Sequence, residues 1–323
     1  MVSRARLGVF VLVAVAVLGC SSSKPLSDNG PKQLTIVMIP KGTTASFWKG
    51  VEAGAKQAAE EFKVNLIWKG PSTENDRALQ KQLVQQFTND GVDGILLAAT
   101  DRVALVPEVR NATGKGIPVL IFDSALDGEP GKDYLSLVAT DNFVAGKLGG
   151  KHLSEIVGPQ GNVVVLRHME GHDSTLKREE GAIEALKEGN ANILLDSRFA
   201  GESVGEAQNT SLNLMDTIET ADGIFASNQT ASEGLLLALR QKNMLGKVHY
   251  VGFDTSPLLT GALRAGDIDA LVVQDPVQMG YLSVKSMVDH LAGKPVEPTI
   301  ETGCHVVTRE NMDDPEIKKL LQE

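Results

Sequence analysis

From residue 34 onward, short apolar runs alternate with longer stretches in which apolar residues recur every three or four positions. The runs 34–39, 64–68, 94–98 and 118–122 have the length and composition of buried strands. Between them, 46–62, 76–89 and 104–115 carry helical periodicity, with Ser46 placed to cap the first. Single helices between single strands build βαβ units, and such apolar strands belong to a parallel sheet covered on both faces. A strand at 134–139 then leads into a helix running to about 157, and the alternation repeats. Strands follow at 162–166, 192–195, 223–227, 250–253 and 270–273, separated by helices at 174–186, 203–218 and 230–242 and by one that starts at Ser256-Pro257. A helix at 277–291, a strand around 304–307 and a short helix at 314–322 complete the pattern.

The residues just after the strands are the polar ones. Asp254 stands between the apolar run Tyr250-Val251-Gly252-Phe253 and the helix start Thr255-Ser256-Pro257. The strand at 270–273 ends the same way, on Gln274-Asp275-Pro276. Ligands of open parallel sheets bind at that carboxyl edge, and planar groups such as those of Asp254 and Gln274 can grip adjacent hydroxyls of a small ligand.

The chain of 323 residues has room for about two domains. Its net charge of −10, with no block of Lys or Arg, argues against a nucleic-acid partner. Two cysteines, Cys20 and Cys304, make no disulfide framework, and Cys304 reads as a small buried hydrophobe. No Walker loop, strand-borne GxGxxG or GxSxG motif is present. The run His168-Met169-Glu170-Gly171-His172 lacks the helical HExxH spacing, because Glu170 is two places from His168 and Gly171 interrupts the helix. No metal and no cofactor is therefore expected, and no enzyme.

At the start, Arg4 and Arg6 precede an apolar run, 7–18, that is too short to span a membrane. It ends Val17-Leu18-Gly19-Cys20, which resembles a bacterial lipobox. That resemblance implies a signal peptide over 1–19, cleavage before Cys20, a lipid attached to Cys20, and a polar tether over 20–33. The alternative is a plain signal peptide with an incidental cysteine.

The motif VGFD at Val251–Asp254, followed by a helix, a strand ending in QDP and then MGYLSVK, resembles the last third of periplasmic sugar-binding proteins. These are the ribose-binding-like solute receptors of bacterial ABC importers, related to the ligand domains of LacI-type repressors. The similarity covers roughly 34–308. It implies an α/β fold of the periplasmic binding protein-like type I: two doubly wound parallel-sheet lobes joined by a three-strand hinge near Thr140, Gln274 and Thr302. Lobe one is then 34–140 plus 275–301, and lobe two 141–274 plus 302–323. The resemblance further implies that Phe47 and Trp48 stack on a sugar face, with the alternative that one of them only anchors its helix in the core. It makes Asp123 and Asn228 ligand contacts; the alternatives are a turn cap and a helix cap. Arg178 either reaches the ligand or lies solvated on its helix, and Ser174 serves as a contact or a cap. Ala45-Ser46 replaces a region where the family often has Asn, so Lys41 or Thr43 becomes the polar contact there. Ser124 stands where the family often has Arg, and Glu202 where it has a third aromatic, with Phe199 a few places earlier.

The expected function is capture of a sugar or polyol between closing lobes by a lipid-anchored receptor of an ABC importer. It would sit on the periplasmic side of the cell envelope, docking on permease subunits as a monomer. The alternatives are a clamshell receptor for sensing or chemotaxis, and one for a non-sugar solute such as an autoinducer. A LacI-type regulator is excluded by the lipobox-like start.

Overall fold

The computed structural model describes residues 1, 2, 8 and 33–321. The expected signal peptide, Cys20 and its lipid, and the tether fall almost wholly outside the described residues. No helix among the described residues is long and apolar enough to cross a membrane.

The chain first lays down β1 (Thr35–Ile39), α1 (Ser46–Phe62), β2 (Asn65–Trp68), α2 (Arg77–Asp90), β3 (Gly94–Leu97), α3 (Val106–Gly114), β4 (Val119–Phe122) and β5 (Leu137–Ala139). It continues with α4 (Asn142–Val157), β6 (Asn162–Arg167), α5 (Asp173–Glu188), β7 (Asn192–Phe199), α6 (Val204–Asn213), α7 (Met215–Ile218), β8 (Gly223–Ala226), α8 (Gln229–Gln241), β9 (His249–Phe253), α9 (Pro257–Ala265) and β10 (Ala270–Gln274). The return consists of α10 (Pro276–Leu291), β11 (Thr299–Glu301), β12 (Cys304–Thr308) and α11 (Pro315–Leu321).

These strands form two six-stranded sheets of the same design, β2-β1-β3-β4-β5-β11 and β7-β6-β8-β9-β10-β12. The first sheet is parallel throughout. The second departs from the expected parallel sheet at its edge, where β12 runs antiparallel to β10. β11 runs parallel to β5 and so ends at the carboxyl edge of the first sheet; after only Thr302 and Gly303 the chain enters the second sheet at its own carboxyl edge, so β12 must run back against β10. Gly303 takes φ +69 in that link, a backbone region that side-chain-bearing residues avoid.

Alternation within the buried strands explains why each sheet is covered twice. In β1, Ile36 and Met38 face one core cluster while Val37 and Ile39 face another. In β10, Leu271 and Val273 point to one side and Ala270 and Val272 to the other. The helix α10 returns to the first lobe and lies against α1 so closely that a Cβ on Gly280 would sit 2.0 Å from the Val51 carbonyl oxygen. Side-chain caps start the helices that leave the strand ends: Asp76 on Leu79, Asp141 on Val144, Ser256 on Leu259 and Asp275 on Gln278, each worth about 1 kcal/mol.

Three segments cross between the lobes, after β5, after β10 and between β11 and β12. The first and third are tied together: Thr302 N donates to the Ala139 carbonyl at 3.1 Å, and the Thr140 hydroxyl donates to the Gly303 carbonyl at 3.2 Å. The lobes thus share a narrow hinge, and the carboxyl edges of both sheets face each other across a cleft.

Candidate functional site

In each sheet the strand order reverses beside its first strand, β1 or β6, where open α/β sheets hold ligands. Lys41 follows β1, and His168 follows β6. At the next-but-one strand the lobes again correspond: Asp123 follows β4 and Asp254 follows β9. Both aspartates are buried, and both adopt left-handed backbone conformations, φ +58 and +65. That conformation is uncommon outside glycine and costs on the order of 1 kcal/mol.

Around this pair the sequence-derived candidates converge. Lys41 is 3 % exposed and places its ammonium 2.8 Å from the Asp123 carboxylate. It also donates across the cleft to the Ser174 hydroxyl at 3.0 Å. Asp254 accepts from the Gln274 amide at 2.7 Å and from Gln229 N at 3.1 Å. Arg178 is buried, so the solvated alternative does not hold. Its guanidinium lies 4.0 Å from the Phe253 ring centroid and 4.0 Å from Asp254, and it donates to Asn142 at 2.8 Å. Burial raises the Asp254 carboxyl above its ordinary value, against the opposing pull of Arg178 and Gln274. Beneath them Glu179 is pushed up to about 7 by burial, although His168 N and the Ser227 hydroxyl both donate to it.

Phe47 and Trp48 line the cleft beside Lys41. Their rings meet edge to face at 4.9 Å, and both also belong to the core of lobe one. Trp48 is pinned by its indole N–H, which donates to Glu74 at 2.7 Å. Asn228 lines the cleft too, yet its Oδ1 caps α8 through Ala231 N at 3.0 Å. The cap and contact readings are therefore compatible: the amide nitrogen is the part of Asn228 that can still donate. Ser174 does not cap α5, whose N-cap position is His172. Phe199 ends β7, is 40 % exposed, and does not line the cleft.

Several residues that shape the cleft were not singled out by the sequence. Gln229 joins the lobes by accepting from Phe47 N at 3.1 Å. Asn142, the first residue of α4, ties Arg178 to the Asp123 carbonyl. Glu74 comes from the loop after β2, six residues beyond the strand end, so the rule of looking just after strands misses it.

The lobes are closed on one another. The cavity among Lys41, Phe47, Trp48, Asp123, Arg178 and Asp254 is about 20 Å³, enough for one water and far short of a sugar ring. A groove of about 470 Å³ continues from it along the cleft mouth, past Ser46, Glu74, Ser203 and Glu233. Two carboxylates, two cations, several amides and apolar ring faces at one closable edge make a site for gripping hydroxyls on a small polar molecule. Cys304, the cysteine among the described residues, lies in β12, and burial raises its thiol above the ordinary value.

The architecture and its cleft define a two-lobed solute-binding protein. The chain belongs to the family described as periplasmic binding protein domain, whose model matches residues 36–295. Among curated relatives, the D-allose-binding periplasmic protein of Escherichia coli is 29% identical, over 82% of this chain and 86% of that protein. The ribose import binding protein RbsB of the same organism is 26% identical over 92% of this chain and 98% of its own. Among solved structures, an ABC transporter solute-binding protein from Agrobacterium vitis with bound D-fucose superposes with a TM-score of 0.85 at 33% identity, covering 89% of this chain and 99% of that one. A carbohydrate transporter solute-binding protein from Agrobacterium radiobacter, in complex with D-arabinose, also gives 0.85, at 28% identity over 90% and 100%.

Proposed function

We propose that this protein is the solute receptor of an ABC importer and captures a monosaccharide or polyol between its two lobes. The carrying observation is the pair of left-handed aspartates, Asp123 and Asp254, that face one cavity from matching strand ends. Carboxylates held this way accept from vicinal hydroxyls, while Lys41, Arg178, Asn228 and Gln274 donate to ring and hydroxyl oxygens. Phe47 and Trp48 offer an apolar face to carbohydrate C–H groups, and Ser174 and Gln229 join the lobes over the bound solute. Gln274 Oε1, buried and without a hydrogen-bond partner, is a ready acceptor. The lobes divide as 34–140 plus 275–301 and 141–274 plus 302–323.

On this reading the protein works on the periplasmic side of the cell envelope, held there by lipid on Cys20, and delivers its solute to permease subunits as a monomer. The lipobox-like Gly19-Cys20 supports the anchor, and the importer role is supported by the relatives.

The test is a thermal-shift and calorimetric screen of the full chain against aldoses, ketoses and polyols. A true ligand at 100 times its Kd stabilises by about 2.7 kcal/mol. Asp254→Ala and Asn228→Ala are expected to remove that stabilisation. A folded protein that ignores every sugar and polyol would overturn the ligand assignment.

A further inference from the structure

Two buried imidazoles in the cleft wall are not used by the solute site described above. His168 and His172 are both 0 % exposed, and among the described residues the only group their ring nitrogens approach is the Glu74 carboxylate, at long range, with no well-formed hydrogen bond. Buried polar atoms left unpaired are uncommon and costly. The rings lie perpendicular with centroids 5.1 Å apart. Both face the same carboxylate: Glu74 Oε2 is 3.4 Å from His168 Nε2 and 3.9 Å from His172 Nδ1. One ligating atom from each of the three residues lies within 4.8 Å of the others.

We propose that Glu74, His168 and His172 form a binding site for a divalent transition metal of the Zn²⁺ class, which clips the lobes together. Two imidazole nitrogens and one carboxylate oxygen suit Zn²⁺, Ni²⁺ or Co²⁺ and do not suit Mg²⁺ or Ca²⁺. Around a tetrahedral Zn²⁺ such ligands stand about 3.3 Å apart, so a small inward rotation of the imidazoles completes the set and leaves a fourth position for water.

Two cations stand close by, and each already has a counter-charge: Lys41 pairs with Asp123 at 2.8 Å and Arg77 with Asp101 at 3.0 Å. Glu74 is the acid left to offset an incoming ion. Its loop belongs to lobe one and the histidine loop to lobe two, so the three ligands meet only when the lobes are closed. A metal held by all three therefore favours the closed arrangement by its preference for it. The proposal does not depend on which solute the cleft takes.

The experiment uses the full chain, stripped with EDTA and free of sugar, titrated with ZnCl₂ and, in parallel, MgCl₂. One Zn²⁺ per chain, a rise in Tm with Zn²⁺ and none with Mg²⁺ are expected. Glu74→Gln and His172→Ala should each weaken Zn²⁺ binding at least tenfold. A readout that needs no variant is the imidazole nitrogen spectrum of the wild-type chain, in which Zn²⁺ should shift two of the six histidines, His168 and His172. Absence of saturable binding, unchanged affinity in both variants, or a shift confined to other histidines would overturn the site.

Discussion

Lys41 and Asp123 carry opposite charges into a site almost closed to water, so neither is independent of the other. Removing one partner of a buried ion pair costs about 3–5 kcal/mol, because the remaining charge stays buried. Asp123→Asn is the informative change, since Asn tolerates the φ of +58 that this position needs. Its Tm should fall sharply, and adding Lys41→Met should recover most of the loss; equal Tm values for the single and double variants would show that the pair is not coupled. Asp254 makes a second prediction, on pH. Its folded pKa lies above the ordinary 3.8, so between the two values the folded chain holds a proton that the unfolded chain has released. Stability from this residue is thus present at low pH and declines as pH rises through that window; burial widens the window, Arg178 and Gln274 narrow it, and Asp123 widens it again. Solute binding should run the other way, tightening with pH as the carboxylate becomes an acceptor. Titrating Kd from pH 4 to 7 checks this, and Asp254→Asn should flatten that part of the profile.

At the scale of elements, the apolar runs were legible because each buried strand hides both its faces. The helix α1 falls at 46–62 as its periodicity requires, and the first four strands of lobe one lie within one residue of their expected ends, while β5 begins at Leu137, three residues after the expected 134. What was illegible has a physical cause in each case. β7 extends to Phe199 rather than stopping near 195, because it is a half-exposed edge strand whose polar residues conceal it. β11 is only Thr299–Glu301 and depends on pairing with β5, a contact 162 residues distant in sequence that no local pattern announces. The site was legible where it obeyed the strand-end rule, as at Asp123, Asn228, Asp254 and Gln274. It was illegible where a long loop brought in Glu74, and where φ at two aspartates had to be seen. The packing of α1 on α10 was likewise hidden, and it is testable. Gly280→Val would press a branched side chain onto the Val51 carbonyl, forcing the helices apart at a cost of about 1–3 kcal/mol. A denaturant midpoint lowered by that amount is expected; an unchanged midpoint would mean the helix pair can part freely.

For the whole molecule, function depends on how firmly the lobes stay shut. Direct contacts span the cleft even though its cavity has room for little more than a water. Besides Lys41 on Ser174 and Gln229 on Phe47 N, Arg77 donates to the Glu170 carbonyl at 2.7 Å, and Arg102 N to the Gly171 carbonyl at 3.2 Å. The cavity must grow before a sugar ring fits, so capture requires opening at the hinge and reclosure around the solute. The cross-lobe bonds then set a balance: each bond that favours the empty closed form reduces the fraction of open molecules able to accept solute, yet the same bonds at the rim persist in the loaded form. On the proposed ligand assignment, those at the centre, such as Lys41 on Ser174, are exchanged for bonds to solute, whereas the Arg77–Glu170 bond lies beside the cavity and is kept. Arg77→Ala should therefore weaken both closed forms alike, by about 1 kcal/mol, a roughly fivefold shift towards open. Small-angle scattering of the solute-free chain should show a larger radius of gyration, while thermal stability of the individual lobes stays within about 0.5 kcal/mol. An unchanged radius would mean the rim bond carries no closure energy and that the interior pairs alone hold the lobes together.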